Sequence, residues 1–164
     1  MAVLSDREYR ILLAHESEEV LDSVEEFLEE KSDTEGSGEF FVITSTEKEE
    51  ASEKVEKRDI DCVVSGKELE EADGVELLSD VKNGSSLPFV LFLGDASSGK
   101  IKEAIEEGAT DYLRTTMPEF VAAVEDPGRE QQDILANRVK KIVDRERMEA
   151  NYRELFDKAN DAIF

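Results

Sequence analysis

The chain has 164 residues, 39% hydrophobic and 38% charged, and a formal net charge of −22. That length holds one domain of ordinary size and an additional segment. So acidic a surface repels phosphate backbones and anionic lipid, which excludes direct nucleic-acid binding as a primary role. It suits a halophilic cytoplasm, where at about 1 M salt the Debye length falls to roughly 3 Å and self-repulsion is screened. The single cysteine, Cys62, permits no internal disulfide, and a reducing, cytoplasmic compartment is expected. No apolar run reaches the ~18 residues of a membrane span, and Met1–Arg10 lacks the pattern of a signal peptide.

Tyr9–Ala14 reads as a first strand with His15-Glu16-Ser17 at its tip. Val20, Leu21, Val24, Phe27 and Leu28 then share one face of a helix over Glu18–Glu30, capped by Ser17. Lys31–Glu39 is a polar loop and Phe40–Thr44 a second strand. Thr46 and Glu49 have the spacing of a capping box, opening a helix to about Lys57 with Ala51 and Val55 inward. Ile60–Val64 is a third strand, apolar enough to be covered on both faces. Its tip is Gly66, followed by a charged loop and a helix over Gly74–Lys82 that buries Val75, Leu78 and Val81. Asn83–Ser86 is a turn and Pro88–Leu93 a fourth strand. A helix marked by Ile101, Ala104 and Ile105 ends at Gly108. Asp111–Arg114 is a short fifth strand. Strands alternating with helices imply right-handed crossovers. The fold expected is α/β, a doubly wound five-stranded parallel sheet in the flavodoxin-like order 2-1-3-4-5, with an extended C-terminal helix.

Beyond Pro118–Glu125, which suits a short helical turn, Asp126-Pro127-Gly128 breaks the chain. From about Arg129 a helical pattern runs through Ile134, Leu135, Val139, Ile142 and Val143. At about 1.5 Å per residue, some 25 residues span about 38 Å and outrun the domain. A parallel mate from a second copy is the simplest partner for the overhang, with Ile134, Val139 and Ile142 as its seam. The stripe also suits the core face of a closing helix.

Gly94-Asp-Ala-Ser-Ser-Gly99-Lys100 fits G-x-x-x-x-G-K between a strand and a helix, which raises nucleotide binding as an alternative. Ile101 stands where such a loop carries Ser or Thr, and a βα turn explains the glycines more simply. His15 is a candidate for titration near neutral pH or, with Glu16 and Asp95, for a transition metal; a satisfied histidine is the simpler reading. Cys62 reads as core.

The segments RILLAHESEEVLDSV, IDCVVSGKELEEADGVELL, PFVLFLGD and EEGATDYLR resemble the receiver domain of two-component response regulators, in the variety found in halophilic archaeal sensor kinases. The resemblance covers about Arg10 to Arg147. It implies a fold in which an aspartate at the third-strand tip accepts a phosphoryl group from a histidine kinase. Two acids after the first strand hold Mg²⁺. A Thr or Ser at the fourth-strand tip and a Lys at the fifth bind the phosphoryl oxygens. The positions matching that site are His15 and Glu16 for the acid pair, Gly66 for the acceptor, Leu93 for the hydroxyl and Thr115 for the lysine. Glu16 alone keeps a usable group and is the one metal candidate, so Mg²⁺ binding is expected to be weak or absent. The chain therefore reads as a degenerate pseudo-receiver, not an enzyme, with no cofactor. An acceptor of unusual type, such as Glu68, Glu70 or Glu71, is the active alternative. Leu93, Ile101 and Tyr112 fall on the face receivers use for contacts, where a partly exposed Leu93 and Tyr112 would mark an apolar spot. Residues 151–164 (NYRELFDKANDAIF) resemble the opening of a PAS domain, ending within its first strand. The expected organisation is a receiver-like domain over 1–125, a closing and signalling helix over 126–150, and the start of a truncated PAS domain over 151–164. Its partners would be downstream PAS or kinase domains of the same polypeptide, other signalling proteins and a second copy.

Overall fold

The computed structural model describes residues 8–30, 38–124 and 134–163. In chain order the elements are β1 (Glu8–Ala14), α1 (Glu18–Glu30), β2 (Glu39–Ser45), α2 (Lys48–Lys57), β3 (Cys62–Ser65), β4 (Glu68–Leu69), β5 (Ala72–Asp73), α3 (Gly74–Gly84), β6 (Phe89–Phe92), α4 (Ser98–Glu106), β7 (Asp111–Leu113), α5 (Met117–Val124) and α6 (Ile134–Ile163). The main sheet is parallel, in the order β2-β1-β3-β6-β7. This is the expected 2-1-3-4-5 order, since β4 and β5 form a separate two-stranded hairpin.

The side-chain alternation of the strands divides the core in two. Tyr9, Ile11 and Leu13 of β1, Cys62 and Val64 of β3, and Val90 and Phe92 of β6 pack under α1, α5 and α6. Leu12, Val63, Phe89 and Leu91 point the other way, with Ala51 of α2, Leu77 and Leu78 of α3 and Ala104 of α4. Fully burying such a side chain is worth about 1.5–3 kcal/mol. A strand with both faces covered has no polar option, which is why β3 reads as a continuous apolar run.

Most helix termini follow the sequence. Ser17 Oγ accepts the Val20 N–H, and Asp73 caps α3 by accepting the Glu76 N–H at 2.9 Å. The proposed capping box at Thr46 does not form. Glu47 is the residue before α2 and makes no side-chain cap, while the Thr46 hydroxyl turns to the Glu70 carboxylate at 3.3 Å. A tertiary partner has displaced the local one. Ile105 of α4 is 55% exposed, because Ile101 and Ala104 fill the one face of the helix that meets the core.

Two expectations for α6 also change. Val139 is fully buried and Ile142 partly buried against the domain's own core, so neither is free to form a seam with a second copy; the side chain of Ile134 lies outside the described residues. The strand expected near the C-terminus is absent, for α6 runs unbroken to Ile163. A strand needs a neighbour to satisfy its backbone, whereas a helix does so within itself. The break at Asp126–Gly128 and the helix start near Arg129 lie outside the described residues.

The charged loop after Gly66 forms the β4–β5 hairpin. At its tip Glu71 has φ 61°, the one positive value at a non-glycine among the described residues. A side chain in this left-handed region costs about 1–2 kcal/mol, and glycine would add back about 0.5–1 kcal/mol of backbone entropy. Glu71→Gly is therefore expected to raise the urea midpoint by a small amount, a net gain of under about 1 kcal/mol. A lower midpoint would mean that the Glu71 side chain contributes more than its strain costs.

Candidate functional site

The carboxyl ends of β1, β3, β6 and β7 meet at one edge of the sheet; His15, Gly66 and Leu93 directly follow the first three, and Thr115 lies two residues past β7. Parallel pairing sets β1 beside β3, with Ala14 opposite Ser65, so His15 and Gly66 stand side by side. They fill one volume. A Cβ built on Gly66 would lie 2.5 Å from His15 Cδ2 and 3.5 Å from its Nε2. The imidazole is 8% exposed and lies where any side chain at the third-strand tip would begin.

His15 is held by its own turn. Its Nδ1 accepts the Ser17 N–H at 3.0 Å, which leaves the proton of the neutral ring on Nε2. Burial pushes its pKa below the ordinary value, against the pull of the neighbouring Glu16 carboxylate. Around the pair the backbone is closely tied. The Gly66 N–H donates to Ala14 O at 2.8 Å and the Glu16 N–H to Glu68 O at 3.2 Å. Glu70 N–H reaches Thr46 O at 3.0 Å, so the β4–β5 hairpin bridges the tips of β1 and β2. The buried Ser65 hydroxyl donates to Gly66 O at 2.9 Å. Gly74 sits against that same carbonyl and Leu91, where a Cβ would collide with both.

The remaining site positions do not converge. Glu16 is exposed. Leu93 is fully buried, packed with Ala104, Ile101 and Tyr112, which corrects the expected partly exposed Leu93. A leucine at the end of a strand covered on both faces turns into the core. Ile101 and Tyr112 lie beside it, each only partly buried. The Thr115 hydroxyl donates to Glu119 of α5 at 3.1 Å.

The site also contains a pair that strand-tip reasoning missed. Lys100 Nζ lies 3.0 Å from Asp73 Oδ2. Burial pushes the Asp73 carboxyl up, but hydrogen bonds from Glu76 N–H and Lys100 outweigh it and hold the group below its usual range. Lys100 is raised, first by that same hydrogen bond. The pair ties the start of α4 to the start of α3. The signal was present as a lysine in the turn after β6, but 27 residues separate it from Asp73.

A phosphate-binding loop needs free amides and a free lysine. Here Gly94 N–H donates to Thr115 O, Ala96 N–H to Leu93 O, and Lys100 and Ile101 N–H to Ser97 O. With the amides of Gly94, Ala96 and Lys100 bonded within the protein and the Lys100 ammonium on Asp73, the Gly94–Lys100 segment in this conformation is a βα turn capped by Ser97.

Residues 11–124 match the family model of the response regulator receiver domain. This chain belongs to the receiver family. Among curated proteins none matches it. A two-component response regulator from Clostridium difficile has a similar structure, at TM-score 0.65 and 23% identity, covering 84% of this chain and 98% of that one. The receiver domain of a putative LuxO repressor from Vibrio parahaemolyticus aligns at TM-score 0.68 and 16% identity, covering 88% and 97%. The receiver domain of a sensor histidine kinase from Pseudomonas aeruginosa aligns at TM-score 0.61 and 16% identity, covering 83% and 98%, and carries a magnesium ion in its active-site cleft. At these identities the likeness is one of fold.

The residues of this receiver do not fit that ion. Mg²⁺ requires several oxygen ligands in octahedral geometry. Here an imidazole fills the place beside the third-strand tip, Gly66 offers no carboxylate, and no cluster of three metal-ligating side chains forms among the described residues. No step through a metal follows from this site.

The buried imidazole has a consequence for stability. Because its pKa is lower in the folded state, the unfolded chain takes up this proton first on acidification. The contribution is complete above the ordinary value of 6.5 and is lost as pH falls through the folded value. Wild type is expected to lose more stability than His15→Asn when urea denaturation is compared between about pH 7.5 and pH 5.5. Equal losses would place the imidazole in solvent.

Proposed function

We propose that this chain is a pseudo-receiver: a two-component signalling module that takes no phosphoryl group and acts by protein contact and helix geometry on a downstream region. One observation carries the reading. His15 occupies the volume over Gly66 from which an acceptor side chain would have to grow. A phosphorylatable residue there needs both a carboxylate and the space to receive a tetrahedral group with its cation, and this pair removes both.

Incubation with acetyl phosphate and Mg²⁺ followed by intact mass is expected to leave the wild-type mass unchanged. Gly66→Asp alone is also expected to stay unmodified, because the new side chain starts inside the imidazole. His15→Asp with Gly66→Asp and Thr115→Lys restores three of the four missing groups, the acid, the acceptor and the lysine, and a gain of one phosphoryl mass is expected there. A gain in the wild type would overturn the reading and favour an acceptor elsewhere, such as Glu68, Glu70 or Glu71.

The downstream region proposed is a PAS or kinase segment of the same polypeptide, on the resemblance of residues 151–164, and α6 is the element that reaches it. A second copy is proposed to pair along α6, on a face other than the one first expected. Met148 and Leu155 are each 67% exposed. They stand seven residues apart, the repeat of a coiled-coil seam. Met148 lies nine residues beyond the buried Val139, which at about 100° per residue is half a turn away. Paired overhangs would therefore carry their domains on the outside. Light scattering at high salt is expected to give a dimer for the wild type and a monomer for Met148→Glu/Leu155→Glu. A wild-type monomer would remove the second copy from the proposal and leave docking by a different partner.

A further inference from the structure

The strands that carry His15 and Gly66 have a second shared feature at their opposite ends. At the amino end of β1, Arg147 Nη2 of α6 donates to Glu8 O. At the entry to β3, the same nitrogen lies 3.1 Å from Asp61 Oδ2. The guanidinium also stacks 5.3 Å from the centre of the Tyr9 ring, and the Tyr9 hydroxyl donates to Asp144 Oδ1, one helical turn earlier, at 2.8 Å. Asp61 is fixed in turn by β1: its Oδ2 accepts the Arg10 N–H at 2.9 Å, and its own N–H donates to Arg10 O at 2.7 Å. Arg147 and Asp61 are each only 25% exposed, so the pair is less screened than a surface bridge. A guanidinium with a fixed fork of donors holds direction as well as distance.

We propose that Arg147 and Asp144 are positioning residues for the output helix, latching α6 to the amino ends of β1 and β3, so that the packing of His15 against Gly66 at the other ends of those strands sets the direction in which α6 leaves the domain. Five residues of strand separate Asp61 from Gly66, about 16 Å at ~3.3 Å per residue, and between them run four paired positions from Ile11–Cys62 to Ala14–Ser65. Every side chain of β3 is buried, and a packed interior transmits displacement instead of absorbing it. A shift of β1 against β3 that relieves or tightens the His15–Gly66 contact therefore moves Arg10 against Asp61, the surface on which Arg147 rests. The exposed large hydrophobic residues of the overhang among those described, Met148 and Leu155, begin one residue past the latch. Arg138, on Asp111 Oδ2 and Tyr112 O at 3.1 and 3.2 Å, gives α6 a separate anchor at β7, so loss of the latch frees the distal part of the helix and not the whole.

This rests on α6 being the signal-bearing element and not on the absence of phosphorylation, which the mass measurement decides by itself. The test is a spin-label distance between Lys102→Cys on α4 and Arg153→Cys on α6 in the full chain. The native Cys62 is buried, its thiol pushed up to about 12 by that burial, and does not compete for label. The labelled wild type is expected to give one narrow distance distribution. Arg147→Gln is expected to broaden it. Gly66→Ala, whose Cβ displaces the imidazole, is expected to shift the mean distance, and that shift is expected to vanish when Arg147→Gln is also present. An unchanged distribution in Arg147→Gln overturns the latch. No shift in Gly66→Ala, or the same shift with and without Arg147, overturns the coupling. If Arg147→Gln does not show a cooperative thermal transition, Tyr9→Phe, which removes only the hydroxyl that holds Asp144, takes its place with the same expected broadening.

Discussion

The imidazole of His15 and the missing side chain of Gly66 are two halves of one packing arrangement. Either residue alone would be costly. A side chain at position 66 would start inside the ring, and a shorter residue at position 15 would leave a void beside a glycine at the edge of the core, where lost contacts are not recovered. Together they close the strand-tip end of the sheet without a charge. The β4–β5 hairpin, the Ser65 hydroxyl and Gly74 then pack directly on Gly66 or its neighbours.

In a metal-bearing receiver such as the Pseudomonas aeruginosa relative, the cleft is occupied by a cation. Here buried contacts and an ion pair tie the βα turns to one another. Asp73 and Lys100 hold α3 to α4, and Leu93, Ile101 and Tyr112 hold the turn after β6 to the core from within. The pair is part-buried, and a charge-assisted hydrogen bond of this kind contributes about 1.5–3 kcal/mol before solvent screening reduces it. The arrangement is internally satisfied.

The fold was legible because its signals are periodic and local. Two-sided burial made β1, β3 and β6 stand out as apolar runs, and Ser17 and Asp73 marked the starts of α1 and α3 as short-range caps. The positions matched through the resemblance to receivers, His15, Gly66, Leu93 and Thr115, lie at or just past the strand ends. The misses share one cause. Thr46 left its expected cap for Glu70, Leu93 turned fully inward, and Val139 went to the domain's own core. In each case a residue distant in sequence took the partner or the space that local reasoning had assigned.

The sequence by itself determined the strands, their alternation with helices, the glycine at the third-strand tip and the acidity of the chain, because these follow from residue type and from periods of two and 3.6 along the chain. Tertiary structure alone decided that His15 fills the space over Gly66, that Lys100 is bound to Asp73, and that Arg147 rests on Glu8 and Asp61 at the far end of the same strands. These contacts join residues 27 to 139 positions apart. No local pattern encodes such a distance; it exists only once parallel pairing has set β1 beside β3 and packing has fixed which way each helix turns.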